Sequence, residues 1–331
     1  MRGKNNSLDV CIPRLIIKVV LLLILINFCW IIICKLPIGK ISLYNKIYNG
    51  RLRLPYGENP SKSYNLSLYD IDAMFASHII SDRTNKKEKK LKIAFVGDSS
   101  IWGFLQQPDE TLTGLLEKEY STRDENISFF NFGYPSISVL KDILLIEKLK
   151  DYQPDLIVWF TTLEALPNKS QLNNPLVENN PKLVNEIIEK YEMKNISNLP
   201  ENGMQKILLN QVRNIANLLN LQLYGIHWTA TGIDQEYPES YQEAQRDFEE
   251  LKKIFHGISQ NDDGINKYLE FEIIRAGIEK NPDIDFILIN EPVLISEGEN
   301  SAQQYNFYYP KWAYDLYREE MDSFTHKNNI K

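Results

Sequence analysis

The sequence predicts an α/β protein: a three-layer α/β/α body on a mainly parallel sheet, preceded by one N-terminal transmembrane helix. Three observations predict it. From Leu91 onward, short runs of apolar and β-branched residues (LKIAFV, ISFFNF, DLIVWFT) alternate with stretches of helical spacing, and that alternation implies a parallel sheet covered on both faces. Leu15–Cys34 reads LIIKVVLLLILINFCWIIIC, about the length a helix needs to cross a bilayer. The first of the short runs breaks at Gly97-Asp98-Ser99, a strand-to-helix turn that faces the ligand crevice in an open parallel sheet.

Taken in order, residues 1–14 form an N-terminal tail and 15–34 the transmembrane helix. Lys18 lies one turn inside that helix and can snorkel to the interface. The run is long for the apolar part of a cleavable signal peptide, and no small-x-small site follows it. Arg2, Lys4, Arg14 and Lys18 precede or enter the span, and Lys35, Lys40 and Lys46 follow it, so charge alone does not set the orientation. A signal anchor with the body outside the cytoplasm is the expected arrangement. Residues 35–90 read as a juxtamembrane connection with a turn-forming stretch at Leu54–Pro60.

The body spans residues 91–331. Leu91–Val96 is expected as the first strand, Thr111–Tyr120 as a helix, and Ile127–Phe132 as a second strand ending at Gly133. Ile137–Tyr152 carries a wide apolar helical face (Leu140, Ile143, Leu144, Ile146, Leu149), and Asp155–Thr161 is a third strand. Leu221–Trp228 and Ile284–Asn290 are further strand candidates, each after a helix (Gln205–Leu219, Lys267–Ile278). The polar stretch at about 229–264 reads as an insertion over the crevice, and an aromatic-rich helix at about Pro310–Phe324 is the last clear element.

Composition excludes several classes of function. The chain of 331 residues is long enough for a full core, and its net charge of −7 leaves no basic stripe for a nucleic-acid partner. The mixed run Lys86–Lys90 reads as a solvated edge. The three cysteines, Cys11, Cys29 and Cys34, lie in or beside the apolar segment, so the body has no cysteine for a zinc site or a disulfide. No Gly-x-Gly-x-x-Gly, Walker or His-Glu-x-x-His pattern occurs, and no metal or organic cofactor is expected. Asp283-Ile284-Asp285 reads as a pre-strand turn, and the aromatic cluster Tyr305–Trp312 as core and helix-start packing.

Strand-Gly97-Asp98-Ser99, a strand ending in Asn131-Phe132-Gly133, and Pro154-Asp155 leading a third strand together resemble the SGNH (GDSL) hydrolase superfamily over residues 91–325. The resemblance implies a flavodoxin-like strand order and Ser99 as nucleophile. It also implies an oxyanion hole from the N–H groups of Ser99 and Gly133 with a side chain after the third strand, and a late Asp-x-x-His as orienting acid and base. The chemistry fits such a layout. A serine hydroxyl attacks only when a base takes its proton, and preorganised donors at the developing oxyanion are each worth about 3 kcal/mol of barrier.

The sequence departs from the family at two places. Where the family has Gly-x-Asn-Asp, this chain has Thr161-Thr162-Leu163-Glu164. Thr162 offers a hydroxyl donor; Glu164 points elsewhere, or binds a substrate hydroxyl or a cation. None of the four histidines (His78, His227, His256, His326) stands three residues after an aspartate. His227, at the crevice end of a predicted strand, is the fallback base, or else a substrate contact or structural residue. The simpler expectation is a fragment lacking its C-terminal strand and Asp-His block. The sequence therefore points to a membrane-anchored serine esterase or acyltransferase, acting on esters such as O-acyl groups of cell-envelope carbohydrate. The alternative is an inactive, anchored binding or scaffolding protein on the same fold.

Overall fold

The computed structural model describes residues 12–33, 71, 91–103, 106, 109–120, 127–200, 219, 223, 226, 254–259, 265–291 and 311–331. Among them, β1 (Leu91–Gly97), β2 (Ile127–Gly133), β3 (Leu156–Thr161) and β6 (Asp285–Asn290) form one sheet, while β4 (Ile254–Phe255) and β5 (Ile258–Ser259) form a separate two-residue hairpin. The sheet order is β2-β1-β3-β6, and every pair in it is parallel. That order reverses direction at β1, so the crevice for a ligand lies at the C-terminal ends of β1 and β3.

Alternation along the strands sorts side chains to two cores. Ala94, Val96, Phe130, Phe132, Ile157 and Trp159 face the larger one, under α4 (Val139–Leu149) and α8 (Phe271–Glu279). Ile93, Phe95, Val158 and Phe160 face a smaller one with Ile101 and with Leu116 of α3 (Leu112–Tyr120). Helices on both faces give an α/β architecture consistent with three layers. At the opposite end of the sheet the Asp155 carboxylate accepts from Lys92 N–H at 2.7 Å, and the Asp155 carbonyl accepts from Asp285 N–H at 3.2 Å. One aspartate thereby ties together the starts of three strands.

After β1 comes α2 (Ser99–Trp102), and after β3 come α5 (Asn168–Gln171), α6 (Pro175–Asn179) and α7 (Pro181–Lys190). The helix expected over Ile137–Tyr152 is α4 followed by a 3-10 turn, Lys150–Tyr152. The helix expected over Lys267–Ile278 is likewise a 3-10 turn, Ile265–Tyr268, and then α8. The last helix, α9, runs over Lys311–Asn328, four residues beyond the expected end. His326 therefore lies within the helix and meets the Asp322 carboxylate one turn back at 3.4 Å.

One predicted strand is corrected. Within Leu221–Trp228 the described residues, Leu223 and Ile226, are helical, as is Leu219. Leu219, Leu223 and Ile226 recur at helical spacing, and that period prevails over the alternation of LQLYGIHW. The described sheet thus has four strands and not five. His227 and most of the predicted insertion lie outside the described residues, as does 35–90 apart from Ile71, which joins the larger core.

The apolar N-terminal run is helical as expected, α1 (Ile12–Ile33), 22 residues or about 33 Å long. Its described side chains are exposed. Those of Asn27 and 30–33 lie outside the described set, and among described residues alone no helix is long and apolar enough to cross a membrane.

Candidate active site

Gly97 and Gly133 end β1 and β2 in register, and both must be glycine for steric reasons. A Cβ on Gly133 would stand 2.2 Å from the backbone nitrogen of Trp102 and 2.7 Å from the Ile101 carbonyl carbon; one on Gly97 would meet Ile101 Cγ1 at 2.7 Å. The two glycines let α2 settle directly on the strand ends. Asp98 caps α2, its carboxylate accepting from Ser100 N–H at 2.8 Å. Asn131 locks the same helix from β2: its Nδ2 donates to Ile101 O at 2.7 Å, and its Oδ1 accepts from Gly133 N–H at 2.9 Å. Ser99 and Ser100 thereby sit on a rigid turn at the crevice, Ser100 exposed and Ser99 half-buried.

Beneath this turn lies a buried charge network. Lys141, 1% exposed, donates from Nζ to Gly97 O at 2.8 Å and pairs with Asp142 at 2.5 Å. The other Asp142 oxygen accepts from Trp159 Nε1 at 3.0 Å. Burial raises the Asp142 carboxyl above its ordinary value, and the Lys141 charge works against that rise. Tyr134 N–H donates to Gly97 O at 3.0 Å as well, so the end of β1 is held by both α4 and the β2 turn.

The crevice is closed on its far side by Glu291, directly after β6. Its N–H donates to Thr161 O at 2.9 Å, its carbonyl accepts from Tyr314 of α9 at 3.3 Å, and its carboxylate oxygen Oε1 accepts from Ser100 Oγ. Burial, then the nearby Asp98 charge, push its carboxyl up to about 7. Thr162, 4% exposed, carries a hydroxyl with no hydrogen-bond partner among the described residues.

The expected site residues are brought together only in part. Ser99 opens α2 directly after β1, Gly133 ends β2 in register with Gly97, and Thr162 follows the end of β3. The Gly133 N–H is already engaged by Asn131, whereas the Thr162 hydroxyl stands free to donate. Glu164 does not face the serines through any described contact. Its carboxylate meets His256 Nε2 at 2.7 Å, at the tip of the β4–β5 hairpin, where His256 and Gly257 adopt φ of 49° and 85°. Sequence reasoning set His256 aside inside the insertion, and it did not single out Glu291, Asn131 or Lys141. Glu291 carried one legible signal: an acid immediately after an apolar strand candidate, Ile284–Asn290.

Among the described residues no cluster of three or more His, Cys, Asp or Glu is arranged to hold a metal ion. Comparisons with family models, with curated proteins and with solved structures give no match.

Proposed function

We propose that this chain is a membrane-anchored, serine-dependent esterase or acyltransferase of the SGNH type, acting on O-acyl groups such as those of cell-envelope carbohydrate. The observation that carries the reading is the seating of a two-serine turn at the switch point of a parallel sheet. There the exposed Ser100 hydroxyl meets a carboxylate, and Thr162, directly after the neighbouring strand β3, carries a buried hydroxyl with no hydrogen-bond partner among the described residues. An acyl-transfer site needs a nucleophile, a proton acceptor and a donor for the oxyanion, and those three groups supply the set. By the family resemblance the nucleophile is Ser99, with Thr162 in place of the usual asparagine.

The exposed apolar side chains of α1 support anchoring in a bilayer. An anchored catalytic body suits a polymer or surface-bound substrate better than a small diffusing ester. The second reading, a binding or scaffolding protein, is favoured by the Gly133 amide being engaged and by the absence of any histidine contact to the serines among the described residues. Hydrolysis of 4-nitrophenyl acetate by the full chain in detergent separates the two. Turnover that is lost in the Ser99→Ala/Ser100→Ala double variant supports the enzyme. Turnover that persists in that variant, or its absence in the folded wild-type chain, defeats it. Retention of the chain in vesicle pellets after an alkaline carbonate wash, with release once residues 1–35 are deleted, is the matching result for the anchor.

A further inference from the structure

The two hydroxyls of the turn differ in what faces them. Ser99 Oγ has no hydrogen-bond partner among the described residues. Ser100 Oγ is exposed and donates to the Glu291 carboxylate. That contact is built, not incidental. β6 lies two strands from β1, about 10 Å away at ordinary strand spacing, so the pair bridges the end of β3. Both ends of the bridge are fixed: Ser100 by the Asp98 cap on its N–H, Glu291 by its backbone bonds to Thr161 and Tyr314.

We propose that Glu291 is the proton acceptor of this site and that Ser100, rather than Ser99, is its nucleophile. The assignment rests on the hydrolase reading above. Ser100 Oγ bonds to the ester carbonyl carbon while its proton passes to Glu291 Oε1, and the carbonyl π pair moves onto oxygen. Collapse of that intermediate restores the carbonyl and breaks the bond to the alcohol oxygen, which takes the proton back from Glu291. Water, or an acceptor hydroxyl in transfer, then attacks the acyl-serine, losing its proton to Glu291. Ser100 Oγ recovers that proton as it leaves. Ser99 keeps a supporting part: as the first residue of α2, its N–H has no acceptor within the helix.

The charged groups around Glu291 fit this role. Asp98 faces it from the β1–α2 turn, and Asp142 and Lys141 from α4. With its carboxyl near 7, a large share of the group is ionised at neutral pH and still basic enough to take a proton, the optimum for a general base. No histidine is required.

The test is labelling of the full chain in detergent with a fluorophosphonate, with the modified residue read by mass spectrometry and the rate followed from pH 5 to 9. The expected outcome is phosphonylation of Ser100 at a rate that rises through an inflection near pH 7. Glu291→Gln, isosteric and still able to accept from Ser100, should slow labelling at pH 8 by 100-fold or more, with the far-UV circular dichroism unchanged. Label on Ser99, or on Ser100 at a rate that Glu291→Gln leaves within twofold, overturns the assignment and leaves the hydrolase reading intact. No label on either serine of the folded chain overturns both.

Discussion

Replacing Lys141 by methionine should reveal what the buried charge network beneath the serine turn contributes. Methionine keeps the length of the aliphatic stem and removes the ammonium, so the change isolates the charge. Asp142, 2% exposed, would keep only the Trp159 Nε1 bond, and Gly97 O would lose its 2.8 Å donor. Breaking a buried pair in this way costs about 3–5 kcal/mol, a fall of roughly 10 °C in Tm for a body of this size. The loss should depend on pH. Burial already raises the Asp142 carboxyl, and without Lys141 it rises further, so the variant relieves its buried charge by taking up a proton as pH falls. The gap between variant and wild type should then shrink by up to about 1.4 kcal/mol per pH unit. Adding Asp142→Asn removes both charges while leaving an acceptor for Trp159, and should restore most of the stability. Thermal unfolding of the full chain in detergent at pH 6 and pH 8 measures all three. A loss in Lys141→Met that is the same at both pH values, or that the second substitution does not repair, would refute the electrostatic account.

Gly133→Ala should unfold at lower temperature and lose serine labelling together, because its Cβ would strike the backbone of α2 at 2.2 Å, a neighbour that cannot swing aside. Gly277→Ala strikes only side chains, Ile143 Cδ1 at 2.3 Å and Trp159 Cζ3 at 3.0 Å. Calorimetry should find an overpacking loss of about 1–3 kcal/mol with labelling retained. Burial alone would raise Glu147, but hydrogen bonds from Lys190, Tyr191 and Lys150 outweigh it and hold it below its ordinary 4.5. Its contribution is therefore present above that value and lost as pH falls through the lowered one. Glu147→Gln should cost on the order of 1 kcal/mol at pH 7 and converge with wild type in acid. Glu291 has the opposite sign. Its neutral form is favoured in the fold, so stability falls as pH rises from 4.5 through about 7. Glu291→Gln should melt higher than wild type at pH 8 and match it at pH 4.5.

The strands of the sheet were legible because each is a short apolar run; β1 and β2 are closed by a glycine and β6 is followed by an acid. In β1 and β2 the glycines mark close backbone approach, which makes Gly97 and Gly133 visible without any structure. Leu221–Trp228 was misread for a physical reason: a short apolar stretch fits period two and period 3.6 at once, and only tertiary context selects between them. The end of α9 was placed too early because His326 to Asn328 are polar, yet polarity does not end a helix, and the Lys327 charge in its last turn suits the C-terminus. The contacts that complete the site were not legible at all. Ser100 and Glu291 are 191 positions apart, Glu164 and His256 are 92 apart, and neither pair shares a local pattern. Strand order brings the first pair together, and the second depends on where the separate β4–β5 hairpin packs.

The acids around the crevice also explain why the Glu291 carboxyl is raised. Burial dominates the rise, the Asp98 and Asp142 charges add to it, and the Lys141 ammonium opposes it only weakly. Lys141 sits against Asp142 at 2.5 Å and compensates that carboxylate first. Asp98 is half-buried and accepts from an amide N–H of α2 at 2.8 Å. Among the described residues, no cation contacts the Glu291 carboxylate and no N–H donates to it; the Ser100 hydroxyl does. The Glu291 carboxyl is therefore pushed up to about 7, while the Lys141 charge is taken up by Asp142. Removing that charge should raise Asp142 more than Glu291, because the ammonium contacts Asp142 and is the smallest of the influences on Glu291.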